Sequence, residues 1–166
     1  MSSGTQILYE VRQQIAHITI NRPESSNAIS LEGGSKIRLF LDQAESDNFV
    51  RAIVLAASGS KVFSAGADLQ ELKPTRHNAY TAKTYDTEFD KTLLSLERCK
   101  KPTIAKINGH VIGGSLALIM GCDIRVAANA AKFRIPVAHL GFLYTPTQVK
   151  RIINSIGVSK TKLLIF

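Results

Sequence analysis

The sequence predicts an α/β fold built from layers of sheet and helix. Two apolar runs, Ala52–Ala57 and Thr103–Ile107, are continuous and bounded by polar residues, which is typical of strands buried on both faces. Between them, residues 80–98 place Phe89 and Leu93 at helical spacing on one face, as an amphipathic helix does. Strand and helix alternate along the rest of the chain, which is the pattern of this fold class.

The N-terminal part of the chain predicts two strands followed by two capped helices. The strands are short runs rich in β-branched residues on either side of a polar turn. Each helix follows a residue whose side chain can accept a hydrogen bond from the backbone of the first turn. The predicted elements are strands over 7–11 and Ile15–Ile20, a helix over 31–44 behind Ser30, and a short helix over Leu69–Leu72 behind Asp68. Residues 58–66 and 74–78, rich in turn-forming residue types, are predicted as loops.

The C-terminal part predicts a helix, two strands and a pair of helices. A turn at Asn108 and Gly109 precedes a Gly-Gly pair that opens the first of these helices. The predicted elements are a helix over 114–120, strands over 124–128 and 132–135, and helices over 145–156 and from 159 onward, separated by Gly157.

Length and charge limit the function classes that fit. A chain of 166 residues forms one ordinary domain, and its content of 45% hydrophobic and 20% charged residues excludes intrinsic disorder. The formal charge is +8, and all 13 carboxylates lie at or before Asp123. Any mechanism that needs an aspartate or glutamate from residues 124–166 is therefore excluded.

Cysteine usage and hydropathy indicate the compartment. Cys99 and Cys122 form no CxxC motif, and no Cys/His cluster has metal-ligand spacing, so we expect two reduced thiols and no metal site. The first ten residues lack a basic region followed by an apolar run, and no apolar stretch approaches about 18 residues. We therefore expect a cytoplasmic protein without a secretory signal or a membrane span.

Two glycine-containing loops carry the strongest functional signal. Residues 62–68 lead from a predicted strand region into a capped helix, and Gly66 permits a backbone path that other residues resist. Residues 108–115 again deliver a Gly-Gly pair to the start of a helix, where backbone N–H groups are free. Two such donors converging on one point, the first of them being Ala67, would form an oxyanion hole for a polarised carbonyl.

These loops match no common phosphate-binding motif and come close to one catalytic motif. No Walker A loop and no GxGxxG dinucleotide fingerprint is present. The run GGSLA at 113–117 lacks only the final glycine of a nucleophile elbow, and Asp123 and His139 follow in the order of hydrolase triads. A serine hydrolase that uses Ser115 is therefore an alternative.

Together, the two loops and their flanking segments resemble the crotonase (enoyl-CoA hydratase/isomerase) superfamily. The resemblance covers nearly the whole chain, with the motifs in the family's order. The segments that carry it are INRP at 20–23 with NA at 27–28, KVFSAGADL at 61–69, KP at 101–102 with GG at 113–114, CDI at 122–124, FRIP at 133–136 and LG at 140–141.

The resemblance implies a fold and a ligand. The fold would be the crotonase-like (ClpP/crotonase) spiral of ββα repeats, and the substrate would be an acyl-CoA thioester, with coenzyme A bound as part of it and no tightly bound cofactor. The backbone N–H groups of Ala67 and Gly114 would hold the thioester oxygen as an enolate forms. The residues implied in binding coenzyme A are Ser26, Ala28, Ala65, Ala67, Asp68, Leu69 and Gly114.

The sequence departs from the family at its acid/base positions. Ala117 and Val137 stand where hydratases of the family have glutamates, and Thr145 stands where some isomerases have an aspartate. A methyl group transfers no proton, so ordinary hydration is not expected. Tyr144 lies in a segment that resembles that of family decarboxylases acting on malonyl-type thioesters. It is a candidate for orienting the thioester or its carboxylate, and Ala117 and Val137 would suit an apolar carboxylate pocket.

Three hypotheses about function therefore remain within the family. The chain is an acyl-CoA isomerase or lyase, a malonyl-type decarboxylase, or a non-catalytic CoA-binding relative. Family members associate as homo-trimers or hexamers, and neither nucleic acid nor membrane is an expected partner. Residues 1–166 would form the N-terminal core domain, and the family's C-terminal helical trimerisation segment is expected to be absent or truncated.

Overall fold

The computed structural model describes residues 5–141 and 143–166, with the backbone alone at His139 and Leu140. Strands and helices alternate along this part of the chain, which confirms the predicted α/β class. The strands are β1 (Ile7–Arg12), β2 (Ile15–Ile20), β3 (Ala52–Ala57), β4 (Val62–Ser64), β5 (Thr103–Ile107), β6 (His110–Ile112), β7 (Ile124–Ala127) and β8 (Phe133–Arg134). The helices are α1 (Leu31–Ser46), α2 (Leu69–Leu72), α3 (Ala79–Arg98), α4 (Gly114–Ile119), α5 (Val137–Leu140) and α6 (Pro146–Ile165), with 3-10 turns at Pro23–Ser25 and Lys73–His77.

The strands form two sheets that are connected by the chain in a repeating way. The larger sheet has the order β1-β2-β3-β5-β7 and is parallel except for the β1–β2 hairpin, and the smaller parallel sheet has the order β4-β6-β8. Three times in succession, one strand joins the larger sheet, the next joins the smaller sheet, and a helix follows. This arrangement is the predicted spiral of ββα repeats.

The core lies between the larger sheet and the helices that cover it. In β3, Ile53, Val54 and Leu55 are at most 8% exposed, as predicted for a strand buried on both faces. In α3, Phe89, Leu93 and Leu96 face the core, which confirms the amphipathic pattern. Ser30 and Asp68 cap α1 and α2, because their side chains accept hydrogen bonds from the backbone N–H groups of Gly33 and Gln70.

The sequence missed the short elements. The strands β4 and β6 have three residues each, and both lie in segments interpreted as loops or turns, because three residues are too few to establish a periodic pattern. The helix α5 was also missed, and the 3-10 turn Lys73–His77 lies in the predicted loop. In α6, Gly157 has φ 80° and ψ 165°, so two helical stretches meet at a kink where the sequence placed a break.

In the described residues, no helix combines the length and the apolar character that a membrane span requires. The same part of the chain contains no group of three or more His, Cys, Asp or Glu side chains suited to a metal ion.

Candidate functional site

The two glycine-containing loops meet in the structure. Gly66 has φ +87°, a conformation that other residues rarely adopt. A Cβ atom at this position would lie 2.6 Å from the backbone N of Gly114 and 2.9 Å from the carbonyl O of Ile112. Only glycine therefore allows the first loop to pack against the start of α4.

The backbone N–H of Ala67 is left without an acceptor by the pairing of its neighbours. Ile29 donates its N–H to the carbonyl O of Gly66 at 2.8 Å, and Asp68 donates its N–H to the carbonyl O of Ile29 at 3.0 Å. These two hydrogen bonds form a short parallel bridge between Ile29 and Ala67. The bridge uses the carbonyl of Gly66 and the N–H of Asp68, and not the N–H of Ala67. Within the described chain, the N–H of Ala67 has no hydrogen-bond acceptor.

The backbone N–H of Gly114 is free for a different reason. Gly114 is the first residue of α4, and the N–H groups of a first helical turn have no partner inside the helix. No acceptor for this N–H lies among residues 5–141 and 143–166. An ideal Cβ on Gly114 would lie 3.7 Å from the N of Ala67, so two free donors stand side by side. Backbone donors that converge on one oxygen atom stabilise negative charge that develops on it.

A cavity of about 250 Å³ opens beside these donors. Most of its lining is apolar, and it includes five of the residues predicted from the sequence to be catalytic or to bind coenzyme A: Ala65, Ala67, Leu69, Gly114 and Tyr144. The remaining lining residues are Leu72, Arg76, Tyr85, Asp86, Phe89, Ile112, Gly113, Pro136, Val137, Leu143 and Gln148.

Sequence reasoning missed the charged residues of the cavity. Arg76 from the Lys73–His77 turn donates to both carboxylate oxygens of Asp86 in α3, at 3.0 and 2.5 Å. The hydrogen bond to Asp86 raises the pKa of Arg76. Among the described residues that line the cavity, Asp86 supplies the one carboxylate, and the ion pair already occupies it. This ion pair joins the Lys73–His77 turn, which the sequence predicts only as a loop, to one face of α3. Neither the predicted loop nor the predicted helix indicates this contact.

Two tyrosine side chains of the cavity bury their hydroxyl groups. Neither the hydroxyl of Tyr85 nor that of Tyr144 has a hydrogen-bond partner among the described residues. Burial raises the pKa of both side chains, so both stay protonated and can act as donors. The ring of Tyr85 also lies 5.9 Å from the guanidinium carbon of Arg76, a cation–π distance.

A second hollow, of about 350 Å³, is formed by the loop that contains Ser26. Asn27 is 1% exposed and has φ 53°, and its Nδ2 donates to the carbonyl oxygens of Ser58 and Val62 at 2.9 Å each. The loop also touches the first glycine loop, because the N–H of Ala65 donates to the carbonyl O of Ser26 at 2.9 Å. Ser26 is thus placed next to the larger cavity but lines the second hollow.

Asp68 and Ala28 lie outside the cavity lining and are joined by one arginine. Arg22 Nη1 donates to Asp68 Oδ2 at 2.8 Å and to the carbonyl O of Ala28 at 3.0 Å. Burial raises the pKa of Asp68, but hydrogen bonds from Arg22 and from the N–H of Gln70 outweigh it and leave the pKa below its usual value. The Asp68 side chain therefore helps to hold the loop at residues 22–28 against the first glycine-containing loop.

The three acid/base positions differ in their surroundings. Val137 lines the cavity, whereas Ala117 has no exposed surface and belongs to the core of α4. The expectation that both would form an apolar carboxylate pocket is therefore wrong for Ala117. Thr145 caps α6, and its hydroxyl donates to Asp90 at 2.9 Å. Burial raises the pKa of Asp90, while hydrogen bonds from Thr145, Gln148 and Thr147 oppose that rise.

The serine-hydrolase alternative is wrong. Ser115 is fully buried, and its hydroxyl donates to the carbonyl oxygens of Ser64 and Ile112 at 2.8 Å each. Asp123 accepts hydrogen bonds from the N–H and hydroxyl of Thr103, both at 2.8 Å. The side chain of His139, the third candidate, lies outside the described residues. Ser115 anchors α4 to the neighbouring strand β4 rather than facing a ligand.

Comparison with known proteins gives consistent results. The family model described as enoyl-CoA hydratase/isomerase matches residues 10–165. The chain is 32% identical over 160 residues to the short-chain-enoyl-CoA hydratase of Clostridium acetobutylicum, covering 96% of this chain and 60% of that protein. It is 31% identical to the crotonyl-CoA hydratase of Syntrophomonas wolfei, covering 96% of this chain and 61% of that protein.

Comparison with solved structures points to the same family. A crystal structure of an enoyl-CoA hydratase/carnithine racemase from Magnetospirillum magneticum superposes with a TM-score of 0.92 at 30% identity, covering 98% of this chain and 61% of that one. The chain thus spans about 60% of the length of the curated relatives it matches.

Proposed function

Because the chain belongs to the enoyl-CoA hydratase/isomerase family, we propose that it binds an acyl-CoA thioester and stabilises the enolate form of its acyl group. The observation that carries this proposal is the pair of free N–H groups of Ala67 and Gly114 at the wall of one cavity. Drawing electron density onto the thioester oxygen acidifies the α-carbon, and donors fixed in place before the reaction pay no reorganisation cost as charge develops.

The coenzyme A moiety would extend from the cavity along the Ser26–Ala28 loop. Ser26, Lys61 and the backbone around Gly59 form the second hollow beside this path. An exposed lysine and a formal charge of +8 favour a ligand that carries several phosphate charges. Coenzyme A is here part of the substrate, and no tightly bound cofactor is proposed.

The side chains favour enolate chemistry without a strong base. Ala117, Val137 and Thr145 supply no carboxylate, and Asp86 is held by Arg76. We therefore propose an isomerase or lyase of acyl-CoA thioesters rather than a hydratase, and an isomerase would pass the α-proton to a base other than these three positions. Decarboxylation of a malonyl-type thioester is a second candidate. It is supported by Val137 and Tyr144 in the cavity lining, because loss of CO₂ generates the enolate without a proton acceptor.

Ligand binding tests the oxyanion pair directly. Acetyl-CoA and S-ethyl-CoA differ by the carbonyl oxygen, so acetyl-CoA should bind about fivefold more tightly, which corresponds to about 1 kcal/mol. The infrared carbonyl stretch of bound [1-¹³C]acetyl-CoA should also move to lower frequency than in water. Equal affinity together with an unshifted band would contradict the oxyanion hole.

Turnover distinguishes the reaction classes. Incubation with crotonyl-CoA, a 3-enoyl-CoA and methylmalonyl-CoA, followed by chromatography of the esters, should yield product from one of the last two. Turnover of crotonyl-CoA alone would contradict the assignment to enolate chemistry without a strong base. CoA-ester binding with no turnover of any of the three would identify a non-catalytic relative.

Assembly and location are also proposals. Ile124 and Val126 of the edge strand β7 are 52% and 58% exposed, and Leu163 and Phe166 are more than 80% exposed. Apolar side chains exposed together favour association with another protein surface. We propose a homo-trimer or a hexamer, which analytical ultracentrifugation tests. Two unpaired cysteines, Cys99 and Cys122, support a reducing compartment such as the cytoplasm.

A further inference from the structure

The five-stranded sheet has one face that does not belong to the core. Side chains alternate between the two faces of a strand, and the cluster of buried core residues takes Ile18 from β2, Leu55 from β3 and Ala105 from β5. The residues on either side of these in each strand therefore point to the opposite face, which we call the outer face. Strand register gives its members as Leu8, Glu10 and Arg12 of β1, Ile15, His17 and Thr19 of β2, Ala52, Val54 and Ala56 of β3, Ile104 and Lys106 of β5, and Ile124 and Val126 of β7.

The outer face is largely apolar although it contributes nothing to the core. Val54 is 8% exposed but lies outside the core cluster. In the described chain, Ile15 and Ile104 are not among the partly buried residues that pack against that cluster, and Leu8 is 41% exposed. The strands β2, β3, β5 and β7 run parallel, and parallel sheets are normally covered on both faces. The outer face is thus a surface that a further layer of protein would complete.

Opposite charges lie on two sides of this face. Glu10 is on β1, and Lys106 is on β5, with β2 and β3 between them. Glu10 is in register with His17, His17 with Val54, and Val54 with Ile104. Lys106 is the next outer-face residue along β5 after Ile104. The acidic and the basic side chain are therefore offset by a single outer-face position along the strands.

The centre of the face carries little charge, and the acidic group has a free oxygen. Burial and, to a smaller extent, the charge of Arg12 lower the pKa of His17, so its imidazole is largely neutral at neutral pH. Arg12 also pairs with Glu10, at 2.8 Å, through Oε1 of the carboxylate. Among the described residues, Oε2 of Glu10 accepts no hydrogen bond. One carboxylate oxygen thus stays available to a cation from outside.

A two-fold axis makes the outer face complementary to itself. An axis that runs along the strands, between β2 and β3, places β1 of one copy over β5 of the other, because these strands lie equally far from it in the sheet order. Sheets packed in this aligned way lie about 10 Å apart. Glu10 of each copy then faces the β5 strand of the other, where the flexible stem of Lys106 spans the offset of one position. The same operation forms this contact twice, and such charge complementarity favours a second copy over an unrelated partner.

We propose that the outer face is the interaction surface for a second copy of this chain, with the two sheets packed face to face and Glu10 paired with Lys106 across the two-fold axis. The strand β7 lies beyond the overlapping strands, so the contact is compatible with association through its exposed edge. No outer-face residue lines the acyl cavity, so the contact is independent of the proposed function.

Sedimentation equilibrium of the whole chain over a wide range of concentrations tests the charge pairing. The wild-type chain should form species with an even number of copies. Glu10→Lys and Lys106→Glu should each weaken the pairing about tenfold, because each brings like charges together at two symmetric places. The double variant Glu10→Lys with Lys106→Glu restores opposite charges and should pair within about threefold of wild type. Lys83→Glu makes the same charge change at an exposed site of α3 and should leave the pairing unchanged.

An apolar substitution tests the packing of the face. Leu8→Gln should weaken the pairing about tenfold, because the contact loses an apolar side chain from both copies. Leu39→Gln is the matched control, since Leu39 is 61% exposed on α1, and it should have no effect on the pairing. Circular dichroism and the affinity for acetyl-CoA check that each variant is folded.

The outcomes separate the contact from the proposed function. A wild-type chain that stays monomeric, or that forms only odd-numbered species, overturns the contact. Pairing that survives Lys106→Glu unchanged, or that the double variant does not restore, overturns it as well. Lost pairing with intact binding of acetyl-CoA leaves the proposed function standing, because none of the substituted residues lines the cavity. Wild-type pairing without any binding of acetyl-CoA overturns the proposed function and leaves the contact in place.

Discussion

The cavity has two walls that are made in different ways. One wall presents main-chain N–H groups from Ala67 and Gly114, which are held by loop-to-loop hydrogen bonds and by close backbone packing at Gly66. The other wall presents side chains from α3, from α6 and from the residues just before α6, namely Tyr85, Gln148 and Tyr144. The first wall needs a particular backbone path and few particular side chains. The second depends on which side chains the helices carry, so it is where the reaction and its specificity can differ between relatives of one fold.

The largest effect is expected from breaking the main-chain wall at its closest contact. Gly66→Ala puts a Cβ within 2.6 Å of the Gly114 nitrogen in a left-handed backbone conformation. We expect a loss of about 3 kcal/mol in the free energy of unfolding, measured by urea denaturation. The preference for acetyl-CoA over S-ethyl-CoA should disappear in the same variant.

Gly141→Ala is the matched control for that substitution. Gly141 also has a positive φ, +68°, but among the described residues beyond its chain neighbours nothing lies within 4 Å of its Cβ position. The cost should be only about 1 kcal/mol, since backbone conformation alone is affected, and the ligand preference should persist. Equal losses in the two variants would contradict the importance of the loop contact.

An intermediate effect is expected from removing Arg22, which joins the loop at residues 22–28 to Asp68 in the first glycine-containing loop. Arg22→Gln leaves Asp68 buried without its ion-pair partner, so the free energy of unfolding at neutral pH should fall by about 2 kcal/mol. The pKa of Asp68 is lowered in the folded chain, so its contribution is present above the usual aspartate pKa and is lost as the pH falls through the folded value. The difference between wild type and variant should therefore shrink in acid.

Urea midpoints at neutral and acidic pH measure this effect. The exposed pair of Lys36 with Glu32 in α1 provides the comparison, and Lys36→Gln should leave the midpoint unchanged. A pH-independent difference for Arg22→Gln would show that the arginine acts through packing and not through the charge of Asp68.

The smallest effect is expected in the side-chain wall. Tyr85→Phe and Tyr144→Phe each remove a buried hydroxyl that has no partner in the described residues. The free energy of unfolding should stay the same or rise by up to about 1 kcal/mol, because the unfolded chain alone loses a hydrated group. Thermal melts of the two variants, with the exposed Tyr80→Phe as reference, measure the change. A clear loss of stability would indicate a partner that holds the hydroxyl in place.

The two walls were not equally predictable from the sequence. The two loops of the main-chain wall carry local sequence signals, namely Gly66 with the cap residue Asp68 in one loop and the Gly-Gly pair in the other. The side-chain wall arises when α3 and α6 meet, with the Arg76–Asp86 and Gln148–Asp90 contacts joining residues from separate elements. No local pattern encodes such contacts. The hydrolase-like order of Ser115, Asp123 and His139 misled for the same reason, since order in the chain says nothing about burial.

The fold was predicted where its periodicity was long. The strands β3 and β5 and the helices α1 and α3 have enough residues for their apolar pattern to stand out. The three-residue strands β4 and β6 did not, although they form the smaller sheet that delivers both loops to the cavity. A short strand forms because neighbouring strands pair with it. A local stretch of sequence does not show which strands will be its neighbours.

The main-chain origin of the two donors also affects how mutations act on the site. A codon change at position 67 alters a side chain but leaves the amide hydrogen in place, unless the new residue is proline. The chemical group that would bind the thioester oxygen is therefore shielded from most substitutions at its own position. Its vulnerable points lie one residue away, at Gly66, and at distant partners such as Ile29 that hold the strand path. Substitutions can therefore change the side-chain wall more readily than the main-chain donors.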